Sequence, residues 1–429
     1  MKVVELKTEQ INNLNVHFIQ TEKFKTIYFV MKIKSFLDKD TITKRALLPY
    51  LLRQGTKTYP SEIELQNKLD DLYGATLSLD GAKKGDYHII SVRLEIANDK
   101  YIKGEESLIN DSLNLLHEII FEPKTVNSGF DPKIFDREKQ TLKNSIESVI
   151  DDKMRFANMR LIDEMCKDER YSVRVHGYLE QLEKLNEQSM YEYYQKLLQE
   201  DEIDLYIVGD FNKEDMEKIV SKHFHLKKKS RIKPYEKEPV KVIKQPREVI
   251  ERQNINQAKL HLGYRTNCTI VDEEYFSLQV FNGLLGGFPS SKLFLNVREK
   301  HSLAYYAASR IESLKGLLLV FSGIDAKDYN KAKEIINEQL LAIQSGDFTE
   351  ANLSETKEQL INNILETMDH PDGIIEMFYQ QQFTNNNLNQ NELINKLKKV
   401  TREDVINIAK NIQLDTIYLL TSEEGDSSA

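Results

Sequence analysis

Cysteine is almost absent from this chain. The two that occur, Cys166 and Cys268, lie 268 − 166 = 102 positions apart in 429 residues. They cannot make a disulfide framework or a cysteine-rich zinc site, so a reducing cytosol is the expected address. No apolar run approaches the roughly 18 residues that a membrane-crossing helix needs. The opening stretch, MKVVELKTEQ, alternates charged and apolar residues and has no hydrophobic signal-peptide region. Neither a membrane nor an exported location is therefore expected. Positive charge is in the minority: 59 Lys and Arg against 68 Asp and Glu leave a net charge of −9. Such a chain binds nucleic-acid phosphate poorly, and no nucleic-acid partner is expected.

Closely spaced histidines are also missing. The nine are His17, His88, His117, His176, His223, His225, His261, His301 and His370. A helical zinc site sets two histidines three or four residues apart, and no pair does so. His223 and His225 are two apart, roughly half a turn on a helix, which is not the zinc spacing. What remains is 40% apolar and 30% charged sequence, a globular composition long enough for two or three domains.

Periodicity supplies the elements. Ile27–Val30 and Leu205–Val208 are short apolar runs, and Ile90, Val92, Leu94 and Ile96 alternate as in a half-buried strand. Ile63, Leu65, Leu69 and Leu72 predict one helix face after Pro60-Ser61. Leu108, Leu113, Leu116 and Ile120 predict the next. The order then recurs. Residues 258–264 read as a strand, and Tyr275, Leu278, Phe281 and Leu285 as a helix face ending at Gly286-Gly287. Leu317–Phe321 reads as a strand before a helix near 328–344, and Ile417–Leu420 as a last strand.

Two local matches indicate a duplication. LEIANDKY (94–101) pairs with SGIDAKDY (322–329), and DLYIVGD (204–210) with DTIYLLTS (415–422). Between the copies, residues 227–246 are lysine-rich and carry three prolines, which reads as an extended, solvated linker. The expected fold is α+β: two tandem homologous domains, 1–226 and 247–429, each a mostly antiparallel sheet flanked by helices. The acidic tail, 423–429, is expected to fray.

Three stretches together resemble the insulinase, pitrilysin and mitochondrial processing peptidase family of inverted-motif zinc peptidases. RALLPYLLRQGTKTYPSEIELQNKLDDLYGATLSL (45–79) is similar to the family's zinc-binding helix with its Gly-Thr turn. HGYLEQLEKLNEQSMYEYYQKLLQEDEIDLYIVGDF (176–211) is similar to the close of its first domain. LLGGFPSSKLFLNVREKHSLAYYAASR (284–310) is similar to its second-domain signature. The resemblance covers essentially the whole chain and implies the duplicated, processing-peptidase-like plan.

The first stretch departs from the family. Aligned on Gly55-Thr56, the family's His, Glu and His positions hold Ala46, Pro49 and Tyr50. Two imidazoles bind zinc, and the glutamate takes a proton from the zinc-bound water. Alanine, proline and a neutral phenol do neither. The third ligand, a later glutamate, falls near Asn144 or Ser145, with Glu147 one turn away. No zinc and no catalytic residue is therefore expected in this chain. Pro49 also costs about 3 kcal/mol inside a helix, so the helix is expected to begin near Leu48 or to kink.

The second-domain frame is retained. Arg298 and Tyr305 resemble the family's substrate-binding arginine and tyrosine. A guanidinium makes charge-assisted bonds to a peptide carbonyl or carboxylate, and a phenol can donate to a developing oxyanion. Family members of this length act as dimers in which one subunit brings the zinc helix and the other the Arg/Tyr pair. The resemblance thus implies an inactive subunit of a heterodimeric zinc peptidase. Its partner would carry H-x-x-E-H and the zinc, and an unstructured peptide would be the substrate. The resemblance extends to bacterial members without the metal motif, some associated with elongation factor P modification and others with peptide maturation. Two alternatives stand beside it: a non-proteolytic scaffold subunit of the same fold, and an autonomous zinc enzyme with rearranged ligands.

Overall fold

Strands with alternating apolar positions build two sheets in this computed structural model, which describes residues 4–102, 107–226, 235–384 and 387–422. The contacts divide the chain into two units. Unit 1 comprises Met1–Ser148, Val173–Pro234 and Asp369–Tyr379; unit 2 comprises Val149–Ser172, Tyr235–Met368 and Gln380–Ala429. The units are thus interleaved along the sequence instead of following the expected limits at 226 and 247. Of the expected linker, 227–234 lies outside the described residues, as does the 423–429 tail.

Unit 1 holds strands β1 (Leu6–Ile11), β2 (Leu14–Gln20), β3 (Thr26–Phe36), β4 (Thr76–Lys84) and β5 (Tyr87–Ala97). It also holds a small hairpin, β6 (Thr125–Val126) with β7 (Gly129–Phe130), and the strand β8 (Glu202–Gly209). The sheet order is β1-β2-β8-β3-β5-β4. Only β2 and β8 run parallel. Unit 2 holds β9 (Arg247–Arg252), β10 (Ala258–Arg265), β11 (Ala304–Glu312), β12 (Leu317–Ile324) and β13 (Gln413–Thr421), in the order β11-β12-β10-β13-β9. Only β13 and β9 are parallel. Read from β4, unit 1 runs antiparallel, antiparallel, antiparallel, parallel, and unit 2 read from β11 does the same. The two sequence matches fall at equivalent places, in β5 with β12 and in β8 with β13.

Period-2 alternation gives each sheet two faces. In unit 1, Phe29, Met31 and Ile33 of β3 and Leu205 and Ile207 of β8 join the main core. That core is completed by Leu47, Leu48, Leu51 and Leu52 of helix α1 (Ile42–Leu52) and by Leu113, Leu116 and Ile120 of a later helix. In helix α2 (Glu62–Asp71), capped by the Ser61 hydroxyl, Leu65 and Leu69 are buried. Ile63 is 74% exposed and does not share their face. Two residues turn a helix by about 200°, so Ile63 belongs to the opposite side from Leu65.

Helix α1 starts at Ile42, six residues before the expected Leu48, and Pro49 sits inside it. Its anchor is Arg45, a fully buried guanidinium whose five N–H groups are all used. Nε donates to His88 Nδ1 (3.1 Å), and Nη2 donates to the Ile33 and His88 carbonyls (3.1 and 3.2 Å). Nη1 donates to the Asp201 carboxylate and to the Tyr193 hydroxyl (3.4 Å).

In unit 2 a comparable cluster surrounds Glu169. Arg265 (2.8 Å), Lys241 (2.5 Å) and Lys315 (3.3 Å) converge on its carboxylate. Lys241 belongs to the stretch expected to be a solvated linker. The described part of that stretch, from Tyr235, is seated on unit 2, where Lys237 pairs with Asp272 at 2.6 Å and Tyr235 donates to the Leu314 carbonyl at 2.7 Å.

Breaking a buried ion pair by removing one partner costs about 3–5 kcal/mol. Arg45→Met is expected to lower stability by about 3 kcal/mol in chemical denaturation, and Arg45→Lys to recover only part, because an ammonium cannot make the fork. Burial raises the Glu169 pKa, but the three cations outweigh it and hold the carboxyl at about 2 against an ordinary 4.5. A depressed carboxyl pKa gives stability that is present above the unfolded value and lost as pH falls through the folded one. Hydrogen-exchange protection of β10 and β13 is therefore expected to fall as pH drops from 4.5 toward 2. Glu169→Gln should remove that dependence and weaken protection at neutral pH.

Candidate functional site

The metal-site positions lie on α1 and on the helix Pro132–Asp151, both in the described part of unit 1. Ala46 is 7% exposed and Pro49 is buried, both packed inside α1. Tyr50 is half-buried and packs against the unit 1 core. On the other helix, the exposed Asn144 side chain accepts from Gln140 Nε2 at 2.8 Å. The Ser145 carbonyl accepts from the Ser148 hydroxyl at 2.8 Å. Glu147 lies 4.0 Å from Lys143 on the helix surface. Nearby, Arg137 bridges three elements: it donates to the Gln54 side-chain oxygen, bonds its neighbour Glu138 at 2.7 Å and stands 3.9 Å from Glu62.

Zinc bound as in the family that the sequence resembles would need imidazole and carboxylate donors at these positions. Alanine, a buried proline, a core-packed tyrosine, an exposed amide and a serine do not make that set. The residues present do not fit the metal. Among the described residues, no group of three or more His, Cys, Asp or Glu is placed to hold a metal ion.

The turn beyond these positions is held for a structural reason. Gly55 has φ +148, and a Cβ there would stand 2.7 Å from the Tyr59 carbonyl oxygen. The Thr56 hydroxyl donates to Glu118 at 3.0 Å and accepts from the Tyr59 amide at 2.9 Å. The Gly-Thr pair thus closes α1 and ties it to the helix Leu108–Phe121 whether or not a metal is held.

In unit 2 the helix Tyr275–Asn282 continues into a π-helical turn, Gly283–Gly287. A Cβ on Gly286 would come within 2.7 Å of Leu293 and of the Ser309 amide, so only glycine lets the turn lie against β11. A second π-helical stretch, Phe294–Lys300, carries Arg298 in its last turn. It is closed by His301 N–H to the Asn296 carbonyl at 3.3 Å. Ser302 follows at φ +52, and the chain enters β11.

Tyr305 stands at a β-bulge. Ala304 pairs with Ile324 and Tyr306 with Gly323, which leaves Tyr305 without an opposite residue. It is 76% exposed. A bulge re-aims a side chain in this way and recurs beside functional sites. The Arg298 guanidinium lies 4.5 Å from the centre of the Phe294 ring, with Nε 3.5 Å from the Glu299 carboxylate. Its side chain is 43% exposed. Both residues therefore leave one irregular turn and reach solvent. Phe294 is the residue that the sequence reading missed; an aromatic four positions before the arginine on a helix was the available signal.

Histidine placement adds no site. His88 and His261 are fully buried, and burial holds both below the ordinary imidazole pKa, His261 at about 3. Cys166 and Cys268 are buried and not joined in a disulfide. No described helix is long and apolar enough to cross a membrane.

Elemental analysis of the purified chain is expected to find less than about 0.1 zinc per molecule, given the missing donors. Stoichiometric zinc would overturn this reading of Ala46, Pro49 and Tyr50.

Comparison with known proteins identifies the family. Residues 184–360 match the model of the Peptidase M16 inactive domain. A probable inactive metalloprotease, YmfF, of Bacillus subtilis strain 168 is 44% identical over 425 residues, 99% of each chain. An uncharacterized zinc protease, YmxG, of the same strain is 27% identical over 164 residues, 38% of this chain and 40% of that one. The crystal structure of a conserved protein from Enterococcus faecalis V583 superposes with a TM-score of 0.92 at 32% identity, covering 99% of this chain and 100% of that chain. On its near full-length likeness to YmfF, this chain belongs to the M16 peptidase family.

Proposed function

We propose that this chain is the non-catalytic subunit of a heterodimeric zinc peptidase. The observation that carries the reading is the contrast between the two units. Unit 1 has no ligand at the metal positions, while unit 2 keeps Arg298 and Tyr305 exposed on a turn of costly backbone: two π-helical stretches, a residue at positive φ and a bulge. Irregular backbone of this kind concentrates at binding and catalytic sites.

In this reading Arg298 grips a carbonyl or carboxylate of an extended peptide. Its stacking on Phe294 orders the guanidinium beforehand and reduces the side-chain entropy lost on binding. Tyr305 donates its hydroxyl to the oxygen that becomes negative as water attacks the scissile carbonyl. The partner subunit supplies H-x-x-E-H and the zinc. The occurrence in one Bacillus subtilis strain of one relative named as inactive and another named as a zinc protease supports such a pairing. The expected setting is cytoplasmic.

The test mixes this chain with its H-x-x-E-H partner and follows cleavage of an unstructured peptide. Tyr305→Phe is expected to lower kcat by roughly a hundredfold, the usual loss for one oxyanion donor. Arg298→Ala is expected to act mainly on KM. Equal activity of the mixture with wild type and with the double variant would sink the proposal.

A further inference from the structure

The sheet of unit 1 has a second face that carries charge where the first carries the core. Lys32 and Lys34 of β3, Arg93 of β5 and Lys84 of β4 alternate with core residues and therefore share it. Lys32 lies in the middle of the sheet and is only 1% exposed. The segment Asp369–Tyr379 sits on this face and counts with unit 1, although the residues before and after it count with unit 2. Within its helix, Pro371–Gln381, Asp372, Glu376 and Tyr379 are spaced four and three apart, which aligns them on one side.

Three acids of the segment meet cations of unit 1, while Lys34 is paired within the sheet to Glu202 and Arg93 also pairs with Asp80. Asp369 pairs with Lys23, and Asp372 with Arg93 at 3.1 Å. Glu376 takes both Lys32 and Lys84, the latter at 2.6 Å. Tyr379 lies under Lys32, 4.5 Å from ring centre to Nζ, and meets Tyr206 edge-on at 5.9 Å. The acids grow less exposed along the segment, with side chains 57%, 44% and 31% accessible at Asp369, Asp372 and Glu376. Solvent and salt therefore reach the Asp369 end first.

Unit 2 holds the equivalent position differently. There the helix Lys153–Met165 covers the sheet with Phe156, Ala157, Leu161, Ile162 and Met165, packed on Leu317, Leu319, Tyr418 and Leu420. Gly263 lets it approach: a Cβ there would lie 2.5 Å from the Met165 sulfur. Asp369–Tyr379 also buries Ile374, Ile375 and Phe378, but its Asp369 end is held by exposed ion pairs, which moderate salt weakens while leaving apolar contact intact.

We propose that Asp369–Tyr379 is an ionic clasp, which opens from its Asp369 end as a local transition separate from the unfolding of either unit. Opening turns a run of residues fixed on unit 1 into slack chain between two parts of unit 2. It also uncovers a charged, tyrosine-lined sheet face, on which Glu202, Asp204 and Asp80 stand beside the cations. A subunit that must admit and then enclose a peptide would use such slack. That use rests on the function proposed above; the clasp itself does not.

Hydrogen–deuterium exchange of the full chain tests it. Raising salt from about 20 to about 500 mM shortens the screening length several-fold. Exchange in 369–379 is expected to quicken roughly tenfold, while β3, β12 and the helix Lys153–Met165 keep their rates. Asp372→Lys with Glu376→Lys should give the same local loss at low salt. The swap Arg93→Asp with Asp372→Arg should return protection to near the wild-type level, since the guanidinium introduced at position 372 would face two carboxylates, that of Asp80 and the one introduced at position 93. Unchanged exchange of 369–379 in high salt overturns the proposal, as does loss spread evenly over unit 1 or failure of the swap to restore protection. The wild-type salt series stands even where a charge-reversed variant does not fold. Because exchange needs no partner and no peptidase assay, a failed clasp and a failed subunit role are read separately.

Discussion

The first unit is organised around one buried cation. Arg45 projects from α1 into the sheet and spends every N–H on an acceptor, among them the Asp201 carboxylate and two strand carbonyls. A guanidinium in that position cannot be stripped of partners without a large desolvation penalty, so the helix has one orientation available to it. The imidazole it touches is drawn into the same arrangement. Burial, with the neighbouring positive charge, holds His88 well below the ordinary histidine pKa, so its Nδ1 is free to accept from Arg45. Its Nε2 then faces Gly81, where a Cβ would come within 2.9 Å. Helix, β5 and edge strand β4 are fixed by one chain of contacts.

That anchoring separates what the fold needs from what zinc chemistry needs. Arg45 precedes Ala46, and Gly55-Thr56 follows Tyr50, the first and last positions on α1 that align with the family's metal motif. Both flanks carry specific structural contacts, whereas the positions between them hold alanine, proline and a core-packed tyrosine. Proline inside α1 removes a backbone donor and crowds the Arg45 carbonyl, at a cost of about 3 kcal/mol. A helix whose lone duty is packing can absorb that cost through its buried leucines and the Arg45 contacts. A helix that must place ligands to a fraction of an ångström could not do so easily.

Much of this plan was legible in the sequence, because strands and helix faces are written in local periodicity. The central strands of both sheets and the two local matches came from short patterns; the Arg298 frame came from a resemblance. The interleaving did not. Lys153–Met165 and Asp369–Tyr379 lie far in sequence from the sheets they cover, and no local pattern states which sheet a helix will join. Ile63 shows a smaller limit, since an apolar residue near a helix start can fall off the buried face. The seating of Tyr235–Lys241 on unit 2 was hidden because lysines that meet Asp272 and Glu169 look, in isolation, like solvated charge. Alternate lysines at 32 and 34 in a central strand were a visible sign that its second face is charged; their partners, Glu376 and Glu202, were not.

Two units with the same order of strand directions carry different burdens at the same edge. In unit 1 the edge is β4, regular from Thr76 to Lys84 and paired without a break to β5. In unit 2 the edge is β11, broken near its start at Tyr305. An exposed edge is a template for unwanted pairing, and a bulge with outward charge blunts it. The bulge at Tyr305 and the exposed Arg310 further along do this for β11. The same irregularity pushes the phenol out of the sheet, so one backbone feature both protects the edge and presents the side chain. Reverting the bulge would pair Tyr305 across the sheet and hide it. The phenol's exposure is thus a property of the backbone register as much as of the residue.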